Sequence, residues 1–294
     1  MNRPQSMLDQ WPHTSAAATT PATHTTSATI ARDFGEASAS YDSAARLQRH
    51  MGHQLLVRLA DATPGDLTDI VDLGCGTGYF TAQLQGLLPT DTGVTGVDLS
   101  PGMIDHARGQ RSPAIRWLVA DACQLPFADA SLDLVFSNLM IQWCPDPIPV
   151  LEECLRVLRP GGHLLCSTLL DGTLRELALA WEVADPGQPH INRFEPELVL
   201  KEALRRAFPG ALLQRETVVL EYPGPAALLA ELKALGASFK GQGRRPTMTA
   251  PGRIRRMCEV YPRAARGGIE ASYAAGYIIG RKPANSIQTD SGAR

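Results

Sequence analysis

The stretch VDLGCGTGYF at residues 71–80 constrains the fold more than any other part of the chain. A short apolar run that ends in glycines at 74, 76 and 78 and then resumes at helical spacing reads as strand, tight loop and helix. Glycines there let the backbone pass close to a ligand, and the next helix aims its free N–H groups at it. The spacing is G-x-G-x-G. The dinucleotide fingerprint would need a third glycine at 79, where this chain has Tyr79. Asp98 ends the next apolar run, 20 residues after Gly78, where a carboxylate can accept from ribose hydroxyls. A nicotinamide site would share that acid, so the discrimination comes from loop and acid together.

The rest of the pattern continues the alternation. Residues 43–62 carry apolar side chains at helical spacing, and 68–75 is a buried strand leading to a helix at 78–88. Strands follow at 93–100, 115–122, 131–140 and 163–170, with helices starting at Pro101 and spanning 147–162. Strands alternating with helices predict a doubly wound, mostly parallel, Rossmann-like α/β sheet. At 294 residues, with 44% hydrophobic and 20% charged, the chain can bury a full core. No apolar run approaches the roughly 20 residues that span a bilayer, so no membrane association is expected. Six cysteines without C-x-x-C spacing favour reduced thiols and a cytoplasmic setting. The Ala/Thr/Ser/Pro-rich residues 1–29 have neither the apolar core of a signal peptide nor the arginines of a transit peptide. They are expected to be a disordered tail, with 30–282 folded and 283–294 a flexible C-terminal tail.

Four motifs in order, DLGCGTG, VDLSPGMIDHAR, ADACQLPFADASLDLVFSNLMIQW and LRPGGHLL, resemble the class I S-adenosylmethionine-dependent methyltransferases. The resemblance implies a seven-stranded sheet with S-adenosylmethionine as cofactor. It places Gly74, Gly76 and Gly78 against the methionine end and Asp98 on the ribose diol, with Leu99 packed on the adenine. Asp121 and Ala122 would address the adenine edge, Asn138 the methionine side, and Asp72 would orient the amino acid moiety. Cys75 has no neighbour that would lower its pKa and is expected to be a spacer.

The segment after the fifth strand, STLLDGTLRELALAW at 167–181 with HINRF at 190–194, carries the acceptor question. Together with ASASYDSAARLQR at 37–49, SNLMIQWCPD at 137–146 and LKALGA at 232–237, it resembles malonyl-acyl carrier protein O-methyltransferases of biotin biosynthesis over residues 30–282. That implies a helical cap at about 170–210 over an acceptor carboxylate. A carboxylate is already ionised at neutral pH, so methyl transfer needs no general base; positioning and desolvation supply the rate. Arg193 is the expected clamp for the carboxylate, and Tyr41 is expected to close over cofactor and acceptor. Gln142 and Trp143 are expected at the pocket mouth, with His190 holding the turn of the cap.

Charge is distributed unevenly. Residues 201–282 hold 15 Lys/Arg against 6 Asp/Glu, while the whole chain has a net charge of −2. Acyl carrier proteins are acidic, so Lys201, Arg205, Arg206, Lys240, Arg244 and Arg245 are candidates for docking one, with Arg253, Arg255 and Arg256 beside them. A monomer is expected, with no metal and no nucleic-acid partner; the fourth strand lacks the N/D-P-P-Y/F string that nucleic-acid methyltransferases carry. Two other readings stay open: a methyltransferase of free small molecules such as quinones, and a cofactor-binding interaction module without turnover.

Overall fold

The computed structural model describes residues 27–62, 67–237 and 249–284. Seven strands form one sheet in the order β3-β2-β1-β4-β5-β7-β6. These are β1 (Asp69–Leu73), β2 (Gly93–Asp98), β3 (Arg116–Val119), β4 (Leu132–Asn138), β5 (Leu158–Leu169), β6 (Leu212–Tyr222) and β7 (Ile269–Arg281). The first five pair in parallel, and β7 runs antiparallel between β5 and β6. The strand order reverses between β1 and β4. In an open α/β sheet the ligand cleft lies beyond the carboxyl ends of strands at such a switch point.

Strand residues alternate between two cores. Along β4, Leu134 and Phe136 join the cluster under α2 (Arg46–Ala62) and α3 (Tyr79–Leu87), whereas Val135 joins the one under α5 (Pro147–Val157) and α7 (Glu197–Ala207). Period-two alternation puts these helices on opposite faces of the sheet. Met51 and Leu55 of α2 are fully buried; each such side chain contributes roughly 1.5–3 kcal/mol of transfer free energy. A third cluster sets α4 (Pro101–Gln110) against Trp117 of β3. Caps define the helix starts: Ser100 accepts from the Met103 N–H and Asp146 from the Ile148 N–H, each followed by proline at N1.

Three elements build a lid over the carboxyl end of the sheet, α1 (Ser27–Ala44), α6 (Arg175–Ala184) and α8 (Pro225–Ala234), and α9 (Pro251–Val260) packs against α6. The Ser40 hydroxyl donates to Ala234 O at 2.9 Å, tying α1 to α8. The start of α6 is fastened to β7, with Glu176 accepting from the Ser272 N–H at 3.0 Å and the Ser272 hydroxyl at 2.6 Å.

Several expected boundaries move. Residues 1–26 of the expected tail lie outside the described residues, but 27–29 open α1. The helix expected over 147–162 ends at Val157, because Leu158 already pairs with Leu132 of β4. The next pair is Leu134 with His163, so residues 159–162 loop out of the ladder. Pro160 cannot continue a helix, and Gly161 sits at φ 83°, which favours glycine. The expected cap of 170–210 divides. Residues 170–196 cross the cleft, whereas α7 returns to the sheet and packs against α5.

Candidate active site

The glycine loop turns at three left-handed residues, with φ of 72° at Gly74, 54° at Gly76 and 72° at Gly78. A Cβ at Gly74 would run into the Met140 side chain and one at Gly78 into the Trp117 ring, so both are closely packed. A Cβ at Gly76 would meet nothing within 4 Å. Its backbone borders open space at the carboxyl end of β1, as a loop that passes a ligand must.

Asp98 is held by the loop it faces. Gly76 N–H donates to Oδ2 at 2.9 Å and Ser100 N–H to Oδ1 at 2.8 Å. Burial raises its pKa above the ordinary carboxylate value, and these N–H donors oppose the rise. Asp72, only 2% exposed, lies deeper and accepts from the Thr81 hydroxyl at 2.6 Å. Burial pushes it up to about 7. Asp121 closes a local turn by accepting from the Cys123 N–H at 2.9 Å, and Asn138 donates to Gln48 O at 2.9 Å while accepting from the Ser167 hydroxyl at 2.7 Å. Burial raises the Cys75 thiol well above its usual range, as a spacer requires.

These residues line a cleft made of two adjoining pockets. Its wide part is bordered by Gly74, Gly76, Asp98, Leu99, Asp121 and Ala122, with Ile30 and Phe34 of α1 opposite. The narrow part adds Asp72, Gln48, Arg49, Thr77 and Tyr79, and Tyr41, Gly74, Gly76 and Asn138 border both. Every expected cofactor residue except Gly78 therefore lines the cleft; Gly78 instead packs against Trp117. Two contributors were missed in the sequence. Gln48 Oε1 and Arg49 Nε, consecutive on α2, are buried polar atoms without a protein hydrogen-bond partner, and both residues face the narrow part. An unpaired acceptor and an unpaired donor on two residues lining the same pocket suit an ammonium and a carboxylate on one carbon, the methionine end of S-adenosylmethionine. The donor set fits that cofactor.

A second cavity, about 1060 Å³ including its open mouth, lies under the lid. Phe34, Tyr41, Leu139 and Trp143 border it and the wide part of the cleft, so they form the shared wall. Phe34 stands edge-on to Trp143 at 5.0 Å and to Tyr41 at 6.3 Å. Tyr41 also borders the narrow part, and burial with Asp98 and Asp42 nearby keeps its phenol protonated. Gln142 borders the cavity with its amide oriented by Leu139 O at 2.8 Å. The lid supplies Leu177, Trp181, His190, Asn192 and Phe194. From the far end of the chain, α8 and its C-terminal turn add Leu229, Leu232 and Leu235. The α1–α2 junction is locked to the glycine loop by Asp42, which accepts from the Thr77 hydroxyl and, at 2.6 Å, from Arg111.

Arg193 departs from its expected place. It is exposed and lines neither cavity, while Asn192 and Phe194 on either side of it border the second cavity. Two inward neighbours in a non-helical segment turn the residue between them outward. The basic candidates also separate. Lys201 pairs with Glu197 at 2.7 Å and Arg205 with Glu202 at 2.6 Å, and with Arg206 they lie on α7, on the sheet face away from α2 and α3. Lys240, Arg244 and Arg245 lie outside the described residues. Arg253, Arg255 and Arg256 are exposed on α9, which packs against α6 of the lid.

Comparison with known proteins agrees with this architecture. The family described as "Methyltransferase domain" matches residues 71–166. The fold is similar to the solved YcgJ protein of Bacillus subtilis, with TM-score 0.55 and 19% identity over 79% of this chain and 98% of that one. In sequence the chain is 40% identical over 250 residues to malonyl-acyl carrier protein O-methyltransferase of Serratia marcescens, covering 85% of this chain and 94% of that protein. It is 39% identical over 254 residues to the protein of that name from Hahella chejuensis, covering 85% and 88%. It also matches the biotin biosynthesis bifunctional protein BioHC of Cellvibrio japonicus, at 40% over 258 residues, 86% of this chain and 50% of that protein. The chain belongs to the malonyl-acyl carrier protein O-methyltransferase family.

Proposed function

We propose that this protein transfers a methyl group from S-adenosylmethionine to the free carboxylate of a malonyl thioester on acyl carrier protein, giving the methyl ester that primes biotin synthesis. The observation that carries the reading is the shared wall of Phe34, Tyr41, Leu139 and Trp143 between the cofactor cleft and an apolar cavity under the lid. A carboxylate delivered through that cavity meets the donor where water is excluded.

The cofactor, when bound, supplies an electrophilic sulfonium methyl. Arg49 and Gln48 would hold its amino acid end, with Asp72 beneath, and Asp98 would take the ribose hydroxyls. Leu99, Asp121 and Ala122 surround the adenine. With the donor bound, an acceptor oxygen would take the methyl carbon as the carbon–sulfur electron pair went to sulfur. No proton has to leave the acceptor oxygen, so no general base is needed. Tyr41 stays a neutral hydrogen-bond donor and fixes the line between the two cavities. The apolar lid removes water from the carboxylate, and orientation replaces acid–base chemistry. Arg193, Arg255 and Arg256 present positive charge on or beside the outer face of the lid, where an acidic carrier would dock.

Incubation with methyl-labelled S-adenosylmethionine tests the reading. Base-labile label on malonyl carrier, with little on succinyl carrier, is the expected result. Label on a free small molecule instead, or on neither carrier, would overturn it.

A further inference from the structure

With Arg193 turned outward, the acceptor cavity's described lining contains two side chains able to carry positive charge, Lys233 and His190. Lys233 is exposed, at the rim, on the same helix as Glu231. His190 is interior. Its side chain is 13% exposed and its ring stacks on Trp181 with centroids 3.8 Å apart and planes 11° from parallel. His190 Nε2 lies 2.9 Å from Asp185 Oδ2, and the other oxygen of that carboxylate, itself 6% exposed, is 3.2 Å from Arg253 Nε of α9.

We propose that His190 receives the acceptor's carboxylate, as an imidazolium held between that carboxylate and Asp185. This rests on the malonyl reading of the preceding subsection and goes beyond it by assigning the clamp. Arg253 stands against the other oxygen of Asp185. With Nε2 beside Asp185 and the ring plane set by Trp181, Nδ1 is the nitrogen assigned to the acceptor. With Nε2–H already given to Asp185, Nδ1 can donate only when the ring holds both protons. Binding an anionic acceptor therefore draws a proton onto His190, and charges alternate from Arg253 through Asp185 and His190 to the substrate. Methylation removes the acceptor's charge. The imidazolium then loses its second partner and returns the proton to water, so the site distinguishes the acid from the ester it makes. The other ionisable groups facing this space are Glu231 and Lys233 of α8, Tyr41 of α1 and Tyr273 of β7. None of these is an imidazole held by an interior carboxylate, as His190 is by Asp185.

The test counts protons. Protein saturated with S-adenosylhomocysteine is titrated with malonyl carrier, and separately with its methyl ester, in two buffers of different ionisation heat at about pH 8, where an ordinary imidazole is neutral. The malonyl carrier should take up close to one proton more than the ester. In His190→Gln that difference should vanish, with KM for malonyl carrier raised roughly ten- to hundred-fold. Affinity for S-adenosylmethionine should stay within about threefold, since His190 does not border the cofactor cleft. Equal proton counts in the wild type overturn the proposal, and so does an uptake that persists in His190→Gln. The wild-type count decides even if the variant fails to fold. A wild type that methylates no malonyl carrier marks a wrong acceptor and takes this assignment with it.

Discussion

Thr81 donates its hydroxyl to Asp72 at 2.6 Å, linking the carboxylate near the end of β1 to the first turn of α3 across the glycine loop. Asp72 is otherwise in low-dielectric surroundings, and burial pushes it up to about 7. A folded-state value above the unfolded one means that its contribution to stability is complete below about pH 4 and is lost as pH rises to about 7. Chemical denaturation of the cofactor-free protein across that window should show stability falling with pH, with a shallower slope in Asp72→Asn. Identical slopes would place the proton elsewhere.

Arg49→Ala should weaken S-adenosylmethionine binding by tens-fold, because a charge-assisted hydrogen bond is worth about 1.5–3 kcal/mol. Arg49 Nε has no protein partner, but another guanidinium N–H donates to Asp42 O and the group lies 5.2 Å over the Tyr79 ring, so cofactor-free stability should fall as well, by about 1 kcal/mol. Calorimetric binding and a thermal melt separate the two effects. A large loss of stability with unchanged affinity would make Arg49 structural.

Gly52 sits mid-helix in α2, where alanine would ordinarily gain about 1 kcal/mol in helix propensity. Here a Cβ would enter the space of the Phe80 ring, next to the glycine loop. Gly52→Ala should therefore destabilise, by about 1–3 kcal/mol, and weaken cofactor binding as Phe80 shifts. A raised melting temperature would contradict that packing.

The doubly wound order, the glycine loop and the residues that line the cleft beside it were legible in the sequence because strand-glycine-helix patterns are local. Asp98 and Gly76 meet within one βαβ unit, and their relation survives being read along the chain. The acceptor side was less legible. Phe34 lies at helical spacing from Ile30 and Tyr41 on α1, but Ala/Ser-rich neighbours dilute the signal, and the start of that helix was assigned to a tail. Leu229 and Leu232 reach the cavity only because α8 folds back on α1, a contact across nearly 200 residues. Arg193 was assigned by residue type; its direction depends on alternation in a non-helical segment, which composition does not encode.

Charge on the lid's outer face should act on the carrier and not on the chemistry. Arg193→Ala, and Arg255→Glu combined with Arg256→Glu, should raise KM for malonyl carrier several-fold at low salt. The difference should shrink as salt screens it, and activity on malonyl-pantetheine should be nearly unchanged. Equal losses on both substrates would return Arg193 to the acceptor site.

Tyr41 borders both parts of the cofactor cleft and the acceptor cavity. Tyr41→Phe should lower kcat by about tenfold through loss of one oriented hydrogen bond, with S-adenosylmethionine affinity kept within a few-fold. Presteady-state methyl transfer checks it; unchanged kcat would reduce the ring to packing.

The most direct measurement is a crystal structure with S-adenosylhomocysteine and an unreactive malonyl-thioester analogue bound together. One carboxylate oxygen should lie within about 4 Å of the sulfur, on the line continuing the missing methyl bond, beside Tyr41 and beneath the lid. An analogue carboxylate seated outside the cavity walled by Phe34, Tyr41 and Trp143, or open to bulk water, would contradict it.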